Sequence, residues 1–260
     1  MQRNHVQVLG EGRETLVLAH GFGTDQTYWR EQVAAFSSRY RLVLFDHVGA
    51  GRSELSAYSP HRYRSLHGYA VDVLEVLAEL EVQQCTFVGH SMSAMVGILA
   101  ALDQPARFRR LVLLAGSARY LNDVGYVGGL EQADLDQLYA LMAANYQAWA
   151  SGFAPLAMEN PERPELAAYF AGTLSAIRPD IALAVARVLY QIDLRAELPR
   201  LTLPALVLQT QHDIAVPRQA GEYLAQHLPQ ARFEIINARG HFPHVAAPDA
   251  VNRAILGFMS

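Results

Sequence analysis

The sequence predicts an α/β fold: a mostly parallel sheet covered by helices on both faces and interrupted by a helical insert. Three observations point there. Short apolar runs rich in β-branched and aromatic residues alternate with segments whose apolar residues recur at helical spacing, as in buried strands joined by crossover helices. One such run, Cys85-Thr86-Phe87-Val88, gives way to helical spacing at Met92, Met95, Val96 and Leu99 within two residues of Ser91. Between Glu131 and Asp193 there is no convincing strand, and helical faces can be traced instead.

At 260 residues the chain has room for one large α/β domain with an inserted module. Its 51% hydrophobic and 18% charged content marks a globular chain rather than a disordered one. No apolar run approaches the roughly eighteen residues of a membrane span, so no membrane partner is expected. A net charge of -4, with arginines scattered rather than striped, leaves no basic footprint for nucleic acid. Cys85 is the only cysteine, which rules out an internal disulfide, and its place in an apolar run suits a packed thiol better than a reactive one. No basic and then apolar leader precedes the first strand, and the expected location is cytoplasmic.

Taken in order, residues 6–9 and 16–19 are short strands around the turn Gly10-Glu11-Gly12, an arrangement suited to the edge of a sheet. The second strand runs into His20-Gly21-Phe22-Gly23. Glycines there let the backbone turn and aim N–H groups outward, as an oxyanion-binding loop requires, though an ordinary strand-to-helix loop looks the same. A helix around 28–36 leads to a strand at 42–46 and the loop His47-Val48-Gly49-Ala50-Gly51-Arg52-Ser53. That loop lacks the G-x-G-x-x-G spacing, no helix follows it at once and the chain has no lysine, so it reads as a structural turn rather than a phosphate cradle. Val73, Val76, Leu77 and Leu80 then give a crossover helix over 69–80, ahead of the strand at 85–88.

A strand at 111–115 precedes the insert. Leu135, Leu138, Tyr139 and Met142 share one helical face, Leu166, Tyr169, Phe170 and Leu174 a second, and Ile181, Val185, Val188, Leu189 and Ile192 a third. A shorter helix carrying Trp149 and Phe153, ended by Pro155, is expected between the first two. A helical insert between strands is the natural form of a lid, although its aromatics could simply pack helix to helix. Strands return at 205–209 and 232–236, with a helix around 219–227 between them and a closing helix over 249–258. The expected organisation is a core over 1–118 and 196–260 and a helical lid over 119–195.

The chemistry centres on Ser91. A strand that becomes a helix so abruptly forces the serine to φ > 0, a strain of about 1 to 3 kcal/mol tolerated mainly where function needs it. Gly89 and Ser93 supply the small neighbours, Ser93 standing where the usual G-x-S-x-G elbow has its second glycine. On these residues alone a helix N-cap is the alternative to a nucleophile. Two more loops after strands carry the rest: Asp213 follows 205–209 and His241 follows 232–236. An imidazole takes a hydroxyl proton near neutral pH, and a carboxylate fixes its tautomer. The chain order Ser91, Asp213, His241 is that of the α/β-hydrolase fold, with the Phe22 and Met92 backbone N–H groups facing the developing oxyanion. His90 reads as a packed histidine, Asp46 as a hydrogen-bonding turn residue and Asp193 as part of the lid. His241 and His244 lack a further ligand at a recognised spacing, so no metal is expected.

With these residues in place the chain resembles the RsbQ-type subgroup of α/β-hydrolases, which includes a bacterial stress-signalling hydrolase and the strigolactone and karrikin receptors of plants. The resemblance runs through His20-Gly21-Phe22-Gly23-Thr24-Asp25-Gln26, Phe45-Asp46-His47-Val48-Gly49-Ala50-Gly51, Gly89-His90-Ser91-Met92-Ser93-Ala94-Met95, Ser117-Ala118-Arg119-Tyr120-Leu121-Asn122-Asp123 and Arg239-Gly240-His241. It continues through the lid segments 145–149, 152–157 and 178–183. The Ser-x-Ser elbow is like that of the receptor branch. Leu130 and Tyr190 stand where receptors tend to have phenylalanine, and His244 is closer to the bacterial branch. The resemblance implies a four-helix, V-shaped lid over an apolar pocket lined by Phe22, Tyr120, Leu138, Trp149, Phe153, Phe170, Leu189, Tyr190 and Ile214. It also implies a serine hydrolase that needs no cofactor and acts on a small apolar ester or lactone such as a butenolide. The alternative is a ligand-responsive signalling protein with slow hydrolysis and a protein partner bound through the lid.

Overall fold

A computed structural model of the chain describes residues 1–260. The strands are β1 (Gln7–Leu9), β2 (Thr15–Ala19), β3 (Arg41–Phe45), β4 (Cys85–His90), β5 (Phe108–Leu114), β6 (Ala205–His212) and β7 (Ala231–Arg239). They form one sheet in the order β1-β3-β2-β4-β5-β6-β7, parallel throughout except for β1, which pairs antiparallel with β3. The core helices are α1 (Arg30–Phe36), α2 (Leu66–Glu79) and α3 (Met92–Asp103). The insert between β5 and β6 holds α4 (Gln132–Ala144), α5 (Tyr146–Met158), α6 (Pro164–Ala176) and α7 (Pro179–Tyr190). The chain closes with α8 (Arg218–His227), α9 (Pro243–Ala246) and α10 (Pro248–Met259).

Strand pleating explains why both faces are covered. In β2, Val17 and Ala19 join a core built with α2, α3 and the insert, whereas Leu16 and Leu18 join a second core with Trp29, Phe36, Val251 and Ile255. A strand apolar on both sides needs layers on both sides, which is why the central strands are continuous hydrophobic runs.

Two expectations are corrected. The first two strands do not lie together at the sheet edge: β1 is exposed at the edge, while β2 is buried along its whole length between β3 and β4. Five buried residues can satisfy their backbone groups only with a partner strand on each side. Pro155 does not end its helix either, because α5 runs on to Met158. Proline removes one N–H from the helical ladder, but its carbonyl still accepts from Glu159 N, and α5 is held by packing along α6.

The four insert helices pair as α5 with α6 and α4 with α7. Polar bonds tie them to the core near the loops after β2 and β7. Thr173 donates to the Gly23 carbonyl at 2.9 Å, and the His241 amide donates to the Ala157 carbonyl at 2.8 Å. Gly240 sits at φ +80°, and a Cβ there would lie 2.0 Å from the Met158 carbonyl oxygen. Only glycine lets the loop after β7 approach α5 so closely.

Candidate active site

The loops after β4, β6 and β7 converge at the carboxyl edge of the sheet. Ser91 caps the turn from β4 into α3 at φ 53°, ψ -118°, and its own N–H donates to the Leu114 carbonyl at 2.8 Å. Close packing makes the elbow possible: a Cβ on Gly89 would lie 2.4 Å from the Ser93 carbonyl oxygen. The serine is held in a strained backbone with its hydroxyl at the end of the turn.

His241 Nε2 lies 2.7 Å from Ser91 Oγ, and His241 Nδ1 lies 2.8 Å from Asp213 Oδ2. All three residues are buried. The other carboxylate oxygen of Asp213 accepts the amides of Ala215 at 2.8 Å and Val216 at 3.1 Å. With only donors around it, the carboxylate fixes the Nδ1–H tautomer of His241 and leaves Nε2 free to accept the Ser91 proton. Asp46, the other acid at a strand end, is elsewhere, accepting the amides of Gln26 at 2.9 Å and Arg52 at 2.8 Å across its turn.

His90 does not reach Ser91 Oγ. Its Nε2 donates to the His241 carbonyl at 2.8 Å, so His241 is pinned at its carbonyl by His90 and at its amide by Ala157. Burial pushes the His90 imidazole well below its usual 6.5. His244 packs between Trp29 and His90, ring centroids 4.5 Å from each, with both ring nitrogens buried and unpartnered. Burial, helped by nearby His241, pushes its pKa down to about 3. No group of three or more His, Cys, Asp or Glu side chains is placed to hold a metal ion.

Phe22 and Met92 line one small cavity beside Ser91, and their amides have no acceptor within the protein. Of the side chains expected to line a pocket, Tyr120 and Tyr190 pack edge to face at 5.1 Å, Tyr120 facing Ser91. Phe170 reaches the site through Phe242, with centroids at 4.5 Å, and Phe242 is 5.3 Å from His241. Leu189 is buried in the main core, and Leu138, half-buried, packs against it. Trp149 and Phe153 stack at 5.3 Å and line an open groove of about 450 Å³ on the insert, with Leu141 and Leu156. Ile214, 44% exposed, borders a separate outer hollow beside His212 and Glu159.

The reading of residue types alone missed the amides that hold Asp213 and the carbonyl bond made by His90. The adjacency of His90 to Ser91 was the only signal for the latter, and it does not reveal a partner 151 residues away.

An alpha/beta hydrolase family model matches residues 16–254. A karrikin insensitive 2 receptor CA from Petunia hybrida is 44% identical over 256 residues, spanning 98% of this chain and 95% of its own. The strigolactone esterase D14 of Arabidopsis thaliana is 41% identical over 245 residues, spanning 94% of this chain and 91% of its own. Among solved structures, a hydrolase from Oleispira antarctica superposes with a TM-score of 0.96 at 33% identity, covering 99% of this chain and 95% of that one.

Proposed function

The chain belongs to the alpha/beta hydrolase family, and on that premise we propose that it is a serine esterase acting on small apolar esters or butenolide-type lactones. The single observation that carries this reading is the unbroken line of contacts from Ser91 Oγ through the His241 ring to Asp213, at 2.7 and 2.8 Å. Ser91 attacks the substrate carbonyl while His241 Nε2 takes its proton. Asp213 keeps the imidazolium oriented, and the Phe22 and Met92 amides donate hydrogen bonds to the developing oxyanion. The imidazolium then protonates the leaving oxygen. Water, deprotonated by His241, releases the acyl group from Ser91.

Residues 119–195 act as the lid over this site. The neighbourhood of Tyr120, Phe170 and Tyr190 supports an apolar substrate, since aromatic walls give little to a charged one. A single buried thiol, Cys85, suits a cytoplasmic setting.

A second reading is favoured by the exposed apolar residues Leu141 and Leu156 on the insert, together with the relative that is named a receptor. There, slow hydrolysis accompanies binding, and the lid engages a protein partner.

The test is mass-spectrometric mapping of a fluorophosphonate adduct, followed by turnover of activated short-chain esters and butenolides. An adduct on Ser91 and loss of turnover in Ser91→Ala are expected. An adduct elsewhere, or turnover that survives the substitution, rejects the esterase. Rapid cycling on an ester supports metabolism; very slow cycling with ligand-dependent capture of a partner supports signalling.

A further inference from the structure

Phe22 offers its amide from the loop after β2, where Gly21 passes close to His90 and Gly23 close to Phe170 and Leu174. With Met92, Val48, Ala50 and Ile181, the segment from His20 to Gly23 lines a small cavity of about 20 Å³. Packing limits how far this segment can shift, and hydrogen bonds that form one connected set fix how its peptide planes turn.

The Ser93 hydroxyl has a single proton and donates it to the His20 carbonyl. Toward His47 the same oxygen therefore accepts, from His47 Nε2 at 2.6 Å. His47 also donates its backbone N–H to His20 Nε2 at 3.0 Å. That bond leaves the His20 proton on Nδ1, which donates to the Gly21 carbonyl at 2.8 Å, and Thr24 Oγ1 donates to the same carbonyl at 2.9 Å. The Gly21 carbonyl and the Phe22 N–H belong to one trans peptide plane and point in opposite directions. Two donors on the carbonyl therefore aim the amide away from the cluster.

We propose that Ser93 and His47 are a positioning pair whose hydrogen bond holds the His20 segment and so aims the Phe22 N–H at the oxyanion. Serine in place of the second elbow glycine is then a working part of this chain's site rather than a tolerated small residue. The inference rests on the reading of Phe22 as an oxyanion donor. Burial keeps both imidazoles neutral, as the two single-proton tautomers require, by pushing each below the usual 6.5.

Steady-state kinetics on 4-nitrophenyl acetate and inhibition by phenylboronic acid, whose serine adduct is tetrahedral, test the pair in Ser93→Ala, His47→Phe and the double variant. Expected is a fall in kcat of about tenfold or more in each single variant, with KM within about twofold of the parent. Affinity for the boronic acid should fall in step with kcat. The double variant should be no slower than the slower single one, because the two groups act through one bond. Unchanged kcat in Ser93→Ala, losses that multiply in the double variant, or a change confined to KM would overturn the pair. Should a single variant fail to fold, the double one, in which both polar partners are replaced by apolar groups, still decides: parental kcat there overturns the proposal, and a tenfold loss with unchanged KM supports it. A fluorophosphonate adduct on Ser91 of the unsubstituted protein, alongside unaffected Ser93→Ala kinetics, would sink this inference alone. An adduct elsewhere would sink the esterase reading with it.

Discussion

His90 Nε2 lies 2.8 Å from the carbonyl oxygen of His241, so the residue before the elbow serine holds the backbone of the histidine that faces that serine. In His90→Phe the ring volume is kept but the donor is gone. The buried carbonyl then loses its partner at a cost of about 1 to 3 kcal/mol, part of which the loop can recover by shifting. A shift of the loop carries Nε2 away from Ser91 Oγ. The expected result is a kcat reduced by about tenfold with KM nearly constant, read by steady-state kinetics beside a thermal melt.

Asp213 has two amides on one oxygen and the His241 ring on the other. Asp213→Asn preserves the shape but presents an N–H to one of these donors, which favours the wrong His241 tautomer. A fall in kcat on the order of 10⁴ is expected, with little change in melting temperature. Ester hydrolysis within tenfold of the parent would show that another group orients His241.

What could be read in the residues and what could not follow a physical division. The elbow at Ser91 is local: a strand, a turn and a helix within a dozen residues force φ > 0, and φ is 53°. The loops bearing Asp213 and His241 were reachable because parallel sheets gather their loops at one edge. The place of β2 in the sheet was not legible, since pairing is decided by which neighbour covers a run that is apolar on both faces. Pro155 does not end α5 because packing on α6 outweighs the local helix-breaking rule. Nor could the sequence tell which side of the insert Trp149 faces, because tilt and rotation of a helix pair are fixed only by contacts, or which way Ile214 points in the loop after β6. The bond between His47 and Ser93 spans 46 residues and leaves no periodic trace.

Gly240 brings the loop after β7 into close contact with the insert. Alanine there meets both a left-handed φ of +80° and the Met158 carbonyl 2.0 Å from its Cβ. Backbone must move, and the bond from the His241 amide to Ala157 goes with it. Gly240→Ala should lose about 3 kcal/mol or more, a fall of about 6 to 12 °C in Tm, and should lower kcat as well. Calorimetry with parallel ester assays checks both.

His244 gives the protein an acid sensitivity that one substitution should relieve. Burial holds its pKa at about 3, and pushes those of His47 and His90 well below 6.5, so in the folded state these rings stay neutral at a pH where the unfolded chain would protonate them. The unfolded state then binds more protons, and stability rises with pH. The contribution is complete above the unfolded value of about 6.5 and is lost as pH falls below it, at up to about 1.4 kcal/mol per pH unit for each histidine. For His244 the window extends from 6.5 down to about 3. Neither of its ring nitrogens has a partner, so His244→Phe breaks no hydrogen bond and keeps the packing between Trp29 and His90. The variant should be more stable than the parent at pH 7 by about 1 to 2 kcal/mol, since two unpaired polar atoms leave the interior. Its loss of stability between pH 6.5 and 4.5 should also be shallower, by about one proton. Urea unfolding curves across that range measure both quantities. A parent and variant with the same pH slope would mean that His244 takes up its proton without unfolding.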